Sequence, residues 1–132
     1  MLDLIIKNGK CYIDGKLEEK DIAIKDGKIL KIGKISEECK DTYDAEDQTV
    51  LPGCIDTQTH FREPGSTDTE DLHSGSRAAI VGGITAVFEM PNTNPPTATK
   101  KEFQRKLDLA KNRMYCNYAF YFGATADNTH EL

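Results

Sequence analysis

The feature that most constrains this chain is an alternation of strand-like and helix-like segments between residues 53 and 123. Short apolar or β-branched segments at residues 54–57, 84–90 and 115–123 have the composition of strands, and we expect the first of them to be buried. Between them lie two stretches with apolar residues at helical spacing. Because parallel neighbours need a crossover that a helix can provide, this alternation predicts a parallel sheet in an α/β fold.

Capping motifs mark where the two helices are expected to begin. Thr67 and Glu70 fit a capping box, in which each side chain satisfies a backbone N–H that the helix leaves unpaired. Thr99 and Glu102 repeat the motif ahead of the second helix. The first helix is predicted to end at Gly82-Gly83, since glycine is a common helix terminator.

The first 52 residues are predicted to form a small β-layer. Asn-Gly and Asp-Gly pairs indicate hairpin turns, because these residues tolerate positive φ. Residues 36–48 are polar, and we assign them no regular structure. The strand-like segments are residues 2–6, 11–13, 21–24 and 28–32, and the pairs between them are Asn8-Gly9, Asp14-Gly15 and Asp26-Gly27.

Composition excludes several classes of protein. Lys and Arg number 17 against 22 Asp and Glu, a formal net charge of −5, so no overall cationic field attracts nucleic acid or an anionic membrane. No apolar run approaches the ~18 residues that span a membrane, and the N-terminus lacks the features of a signal peptide. The four cysteines include no C-x-x-C pair, which indicates reduced thiols in a cytoplasmic protein.

In a parallel sheet, chemistry belongs to the loops at the carboxyl ends of the strands. Here those loops are residues 58–68, residues 91–98 and the stretch that begins at Gly123. Asn92 lies in the second loop, where it either faces this rim or forms a turn, the usual role of Asn beside proline and threonine.

Three polar side chains in the first loop are expected to share one side of an extended segment. Gln58, His60 and Arg62 are two residues apart in turn, which gives them the same direction. His60 offers an imidazole to a metal ion, although a single histidine at a strand end is more often structural. The planar fork of Arg62 suits a carboxylate, and a surface ion pair with Glu63 or Glu70 is the alternative.

Two longer stretches resemble the dihydroorotases of the amidohydrolase superfamily. The sequence LPGCIDTQTHFREPG at residues 51–65 resembles the family's first barrel strand and its loop, and MPNTNPPT at residues 90–97 resembles the loop after the second strand. The resemblance extends from residue 1 to about residue 123, since members of the family also begin with a small β-layer. Further matching segments are residues 70–72, 74–79 and 82–85.

The resemblance implies an α/β architecture in two parts. Residues 1–52 would form a β-rich layer, and residues 53–132 would form the first three strands and two helices of an incomplete (β/α)8 TIM-like barrel. The implied activity is that of a metal-dependent cyclic amidohydrolase, which interconverts N-carbamoyl-L-aspartate and L-dihydroorotate in pyrimidine biosynthesis. A complete barrel needs ~250 residues, so we expect this chain alone to be inactive.

The same resemblance assigns roles to residues of the rim. His60 matches the second histidine of the family's H-x-H pair, which binds one or two zinc ions in a full-length parent. Gln58 stands in the place of the first histidine, and because an amide oxygen is a poorer zinc ligand than imidazole we expect weak or absent zinc binding here. Arg62 and Asn92 match the residues that hold the substrate carboxylate. The other ligands and the acid/base aspartate belong to later strands, so no catalytic residue is assigned.

Several alternatives stay open. Allantoinase and dihydropyrimidinase share the superfamily barrel, although Arg62 and the loop around Asn92 favour dihydroorotase. Gln58 also fits a non-catalytic homologue that acts as a scaffold for aspartate transcarbamoylase, and a soluble α/β fragment without a function of its own is a further possibility. The expected partners are a small-molecule substrate and a second copy of the chain, because the unpaired edges of a three-stranded sheet favour self-association or strand exchange.

Overall fold

The computed structural model describes residues 1–131 and divides into two compact units, Met1–Pro52 and a second unit that begins at Gly53. No helix within those residues is long and apolar enough to cross a membrane. The first unit contains β1 (Leu2–Ile13), β2 (Lys16–Lys25), β3 (Lys28–Gly33), β4 (Cys39–Asp44) and β5 (Thr49–Val50). The second contains β6 (Cys54–Thr59), α1 (Leu72–Val81), β7 (Ile84–Glu89), α2 (Lys100–Ala110), β8 (Asn117–Phe120) and a 3-10 turn at Thr129–Glu131.

A single sheet forms the first unit, in the order β3-β2-β1-β4 with β5 also paired to β1. Antiparallel hairpins join β1 to β2 through Asp14-Gly15 and β2 to β3 through Asp26-Gly27. In both turns the two residues have positive φ, 48° and 82° in the first and 51° and 71° in the second, as a type I′ turn requires. These two hairpin predictions are confirmed. The core of this unit is formed by Leu2, Ile5, Ala23 and Ile35.

The prediction of a turn at Asn8-Gly9 is wrong. β1 continues through this pair, and the pairing with β2 shifts register there, as at a β-bulge. Asn8 has a φ of 55°, and its side chain donates to Asp44 Oδ1 at 3.0 Å. A Cβ atom at Gly9 would lie 2.6 Å from Val50 Cγ2, so this position needs glycine for close packing. Asn8 has the positive φ that the sequence predicted, but in a β-bulge and not in a turn.

The polar segment at residues 36–48, to which the sequence assigned no structure, contains strand β4. β4 pairs with β1 in parallel, from Leu2 opposite Cys39 to Lys7 opposite Asp44. Most side chains of β4 are exposed, so the strand has no apolar alternation to reveal it. It pairs with a strand almost forty residues earlier in the chain, a contact that local sequence patterns do not indicate.

The second unit has the predicted alternation of strands and helices. β6, β7 and β8 form a three-stranded parallel sheet in that order, and α1 and α2 supply the two crossovers. Residues 1–131 therefore form a mixed α/β structure with two sheets and two helices, which confirms the predicted α/β class. The third strand is shorter than the predicted residues 115–123.

The helix starts were predicted correctly in one case out of two. Thr99 caps α2, and its hydroxyl accepts from the backbone N–H of Glu102 at 3.2 Å. α1 instead begins four residues later than the box at Thr67 suggested, because Asp71 is its N-cap and exchanges hydrogen bonds with Ser74. The Asp71 carboxylate accepts from the Ser74 N–H at 2.6 Å, a stronger cap than a hydroxyl, and this hydrogen bond lowers the pKa of Asp71.

Both helices pack on one face of the parallel sheet. Leu72, Val87 and Phe120 are buried there, in a cluster completed by Phe61, Ala110 and Cys116. The opposite face carries Ile55, which is 62% exposed, together with the partly exposed rings of Phe88 and Tyr121, 6.0 Å apart. The expectation of a buried first strand is therefore wrong, since the helices cover only one of its two faces.

The absence of a side chain at Gly75 of α1 lets the ring of Phe61, in the loop after β6, lie close to the helix. A Cβ atom at this position would lie 2.8 Å from Phe61 Cγ. Alanine normally stabilises a helix interior by roughly 0.5–1 kcal/mol relative to glycine. For Gly75→Ala we expect the opposite sign, a loss of about 1–2 kcal/mol, because overpacking displaces the Phe61 ring. Denaturant unfolding monitored by circular dichroism measures the change.

Gly82→Ala is the matched control for this substitution. Gly82 lies at the other end of α1 with a φ of −82°, and a Cβ atom there would meet only Ala78 O and Ala79 O at 3.5 Å, an ordinary contact. The free energy of unfolding of this variant should change by less than about 0.5 kcal/mol. A Gly75→Ala variant as stable as the unmodified chain would contradict the proposed contact.

Candidate metal and substrate site

The carboxyl ends of the three parallel strands open onto three loops, and the first two carry the residues that the sequence singles out. His60 directly follows β6, and Asn92 lies three residues beyond the end of β7. The structure brings these side chains together, with 2.8 Å between His60 Nδ1 and Asn92 Oδ1. Residues separated by 32 positions in the chain therefore meet at one rim.

The contact with Asn92 determines how His60 can act. With Oδ1 as the acceptor, the proton of a neutral imidazole sits on Nδ1, and Nε2 keeps its lone pair. Histidines that bind metals show this arrangement, in which an oxygen partner on the second nitrogen fixes the tautomer and the direction of the ring. The Asn92 Nδ2 group remains as a donor for a second partner. The pair thus presents one nitrogen acceptor and one amide donor.

Gln58 and His60 lie two residues apart, the first in β6 and the second directly after it. Gln58 is exposed in β6, and its backbone N–H donates to Asp56 Oδ1 at 2.9 Å. Within residues 1–131 no group of three or more His, Cys, Asp or Glu side chains could hold a metal ion. The rim contributes one imidazole, that of His60, whereas a catalytic zinc usually has three protein ligands, so the described residues do not by themselves fit such an ion.

Arg62 is exposed on the loop that follows His60. Its backbone has a φ of 61°, the left-handed conformation that non-glycine residues seldom adopt, and its carbonyl accepts from the Ser66 N–H at 2.9 Å. The alternative of an ion pair with Glu63 or Glu70 is wrong, because Arg62 forms neither pair among the described residues and the Glu63 carboxylate binds Arg113 instead. Arg62 therefore lies on a tightly turned segment two residues after His60.

Glu63 connects this loop to the start of α1 and to the turn that follows α2, and no local sequence pattern indicates these contacts. Its Oε1 and Oε2 accept from Arg113 at 2.8 Å and 3.1 Å, a two-pronged pair. Oε2 also accepts from the N–H of Leu72 at the start of α1, at 2.9 Å. These hydrogen bonds and the neighbouring Glu63 charge raise the pKa of Arg113. A separation of 50 residues gave no sequence signal for this pair.

A second missed contact lies beneath the rim. Glu89 ends β7, Lys106 lies in α2, and the two form an ion pair whose side chains are 1% and 0% exposed. Burial raises the pKa of Glu89 and lowers that of Lys106, and in each case the charge of the partner opposes the effect. One signal was available, because Lys106 stands three residues after Phe103 and four before Ala110, on the apolar stripe of the helix.

The first and second loops also touch through their backbones. The N–H of Asn94 donates to Pro64 O at 3.0 Å. Gly65 has a φ of 116°, and a Cβ atom there would lie 2.7 Å from Asn94 O. The close approach of the loops therefore depends on the absence of a side chain at residue 65.

The third loop is fastened by one buried amide. Asn128 Nδ2 donates to Ala98 O at 2.7 Å and to Gly123 O at 2.8 Å, and its Oδ1 accepts from the Thr125 N–H at 2.7 Å. The loop after β8 is thereby tied to the end of the second loop. All three loops of the rim are connected within the described part of the chain.

Comparison with known proteins identifies the class to which this fold and rim belong. The sequence model of the amidohydrolase family matches residues 49–130, which include every candidate residue of the rim. The chain belongs to the amidohydrolase family, as the motifs at residues 51–65 and 90–97 predicted.

Individual relatives fall into more than one activity class. An allantoinase of Escherichia coli O1:K1 / APEC is 41% identical over an alignment of 134 positions that covers 98% of this chain and 30% of that protein. A dihydroorotase of Methanosarcina mazei is 40% identical over an alignment of 129 positions that covers 96% of this chain and 28% of that protein. The L-hydantoinase (dihydropyrimidinase) from Arthrobacter aurescens superimposes with a TM-score of 0.90 and 34% identity.

These relatives are much longer than the chain. The superposition on the L-hydantoinase covers 99% of this chain but 30% of the other, and the chain spans about 30% of the length of the relatives it matches. The chain, with its rim, is therefore similar to only one part of each relative.

Proposed function

We propose that this chain is the N-terminal part of a metal-dependent cyclic amidohydrolase that interconverts N-carbamoyl-L-aspartate and L-dihydroorotate. The observation that carries the proposal is the contact between His60 and Asn92 on the rim that also bears Arg62. In the proposed enzyme the three parallel strands are the first three of a (β/α)8 barrel. The remaining strands, the further metal ligands and the acid/base residue lie outside residues 1–132.

In the proposed site, Arg62 and Asn92 hold the carboxylate of the substrate. A guanidinium can form two parallel hydrogen bonds with a carboxylate, and the Asn92 Nδ2 group can add a third donor. His60 directs Nε2 away from Asn92, where it serves as one ligand of a zinc ion whose other ligands come from later strands. When bound, such an ion supplies a Lewis acid and an activated water.

The charge of Arg62 favours an anionic substrate over a neutral one. Dihydroorotate carries a carboxylate, whereas the rings of hydantoin and allantoin are uncharged. A neutral ring would leave the guanidinium without a partner, and sites built for a polar group discriminate strongly against a substrate that lacks it. The charge of Arg62 therefore favours dihydroorotase within the family.

Allantoinase is the second candidate, because the E. coli allantoinase is as similar to this chain as the dihydroorotase is. Gln58 supports a third candidate, a non-catalytic homologue. Glutamine is a weak zinc ligand, and it stands here in the place of the family's first metal-binding histidine. The substrate carboxylate is the feature that separates the first two candidates.

Titration of the ¹⁵N-labelled chain with L-dihydroorotate and, separately, with allantoin tests the proposed selectivity. We expect L-dihydroorotate to shift the side-chain resonances of Arg62 and Asn92 and allantoin to leave them in place. In Arg62→Met the affinity for L-dihydroorotate should fall at least tenfold, because charge-assisted hydrogen bonds contribute about 1.5–3 kcal/mol. NMR line positions give the dissociation constants directly.

Arg77→Met is the control for this titration. Arg77 is an exposed arginine on α1, so its loss removes the same charge and volume from a different place. Its affinity for L-dihydroorotate should equal that of the unmodified chain. Equal resonance shifts with allantoin would favour the allantoinase assignment. Equal losses of affinity in Arg62→Met and Arg77→Met would indicate a nonspecific anion effect.

A further inference from the structure

The buried ion pair of Glu89 and Lys106 lies directly below the two loops that carry His60 and Asn92. Glu89 is the last residue of β7, so its side chain emerges at the carboxyl end of the sheet. Lys106 reaches it from the middle of α2, and the Phe120 ring lies 5.1 Å from the Lys106 ammonium. Both charged groups are enclosed by protein.

Each member of the pair also binds the backbone of one loop. Glu89 Oε1 accepts from the N–H of Phe61 at 3.2 Å, and Phe61 is the residue after His60. Lys106 Nζ donates to Met90 O at 3.1 Å, and Met90 lies two residues before Asn92. One ion pair thus fixes the chain next to both members of the His60–Asn92 contact.

Stability alone does not account for a charged pair at this place. Replacing a buried ion pair by apolar side chains of similar volume is often neutral or stabilising, because two charges must be removed from water. An apolar pair, however, cannot form directional bonds with an N–H in one loop and a C=O in another. In a site closed to water these bonds have no competing partner, which makes them strong restraints on the backbone.

We propose that Glu89 and Lys106 are positioning residues, which set the His60 loop and the Asn92 loop at the separation that lets His60 Nδ1 bind Asn92 Oδ1. The inference rests on the proposed function only in giving His60 and Asn92 their roles toward metal and substrate. The tautomer of His60 follows from the contact, so the ion pair determines which imidazole nitrogen faces outward.

The test compares two double variants of the chain. Glu89→Leu/Lys106→Met removes both charges and both backbone anchors, whereas Glu89→Gln/Lys106→Met keeps an oxygen that can accept from Phe61. Long-range ¹H–¹⁵N spectra of the imidazole report the tautomer of His60, and hydrogen exchange reports the protection of the Phe61 amide. Neither measurement needs metal, substrate or turnover, so failure of the substrate assignment leaves this test unaffected.

In the unmodified chain we expect the Nδ1–H tautomer. In Glu89→Leu/Lys106→Met the His60 signals should move toward the tautomer mixture of a free imidazole, and exchange of the Phe61 amide should accelerate at least tenfold while the midpoint of unfolding stays close to its original value. The Gln/Met variant should retain most of the original pattern. A purely structural pair would change the midpoint and not the tautomer.

Unchanged His60 signals in the folded Leu/Met variant would overturn the proposal. If that variant does not fold, Glu89→Asp provides the same reading, because it keeps the charge but shortens the reach toward Phe61 by one methylene. Loss of the Nδ1–H pattern in folded Glu89→Asp supports the positioning role, and its persistence together with fast Phe61 exchange refutes it.

Discussion

Replacing Lys106 with methionine alone is expected to lower the free energy of unfolding by about 3–5 kcal/mol at neutral pH. The substitution leaves the Glu89 carboxylate buried without its cation, and an uncompensated buried charge is much more costly than the loss of a surface contact. A domain of ordinary stability has only about 5–15 kcal/mol in total, so the variant should unfold at much lower denaturant concentrations. Urea unfolding followed by circular dichroism gives the difference.

The pH dependence of this loss identifies its cause. Burial already raises the pKa of Glu89 above its ordinary value of 4.5, and Lys106 is the main opposing charge. Without Lys106 the folded chain takes up a proton at Glu89 more readily than the unfolded chain does. The penalty is therefore largest well above the folded pKa, shrinks as the pH falls through it, and is smallest below 4.5.

Lys101→Met supplies the control on the same helix. Lys101 is exposed in α2, so its replacement should change the free energy of unfolding by less than about 0.5 kcal/mol at any pH. Equal losses in the two variants, or a Lys106→Met loss that does not vary with pH, would mean that the buried charge is not responsible.

Replacing Arg113 with methionine is expected to cost about 2–3 kcal/mol. Glu63 is 6% exposed and would keep only the Leu72 N–H as a donor, which leaves most of its charge uncompensated. The loss should be smaller than that of Lys106→Met, because Arg113 is 35% exposed and solvent can partly replace it. Thermal and urea unfolding measure the change.

Arg105→Met is the matched arginine substitution. Arg105 pairs with Glu102 at 3.3 Å across one turn of α2, and its side chain is 51% exposed. Such surface pairs contribute about 0.3–0.5 kcal/mol, so this variant should remain near the original stability. If Arg113→Met is no more destabilised than Arg105→Met, the Glu63 pair does not fasten the first loop.

Local patterns in the sequence were sufficient for much of the fold. The parallel sheet was predicted from β-branched strands that alternate with apolar residues at helical spacing, and the start of α2 from the cap at Thr99. These signals act within a few residues of the chain. β4 escaped notice because its side chains are mostly polar and exposed and its partner strand lies almost forty residues earlier in the chain. The Asn8-Gly9 pair wrongly predicted a turn, because a positive φ occurs in β-bulges as well as in turns.

Part of the candidate site was also predictable from the sequence. Carboxyl ends of parallel strands meet at one rim, so the sequence could place His60 and Asn92 together before any contact was known. Of the ion pairs beneath them, the sequence signalled only Lys106, through its place on the apolar stripe of α2. Glu63 and Arg113 are paired only through the tertiary fold, and Glu89 and Lys106 combine residue types that rarely enter a core.

The amide of Asn128 gives the third loop an unusual kind of chemical sensitivity. Two of its hydrogen bonds run from Nδ2 to carbonyl oxygens, so the position requires donors pointing in two fixed directions. Aspartate has almost the same volume, yet it would place an acceptor against two acceptors. Hydrolysis of a single side-chain amide, a slow covalent change that leaves the packing nearly untouched, would therefore be enough to release this loop from Ala98 and Gly123.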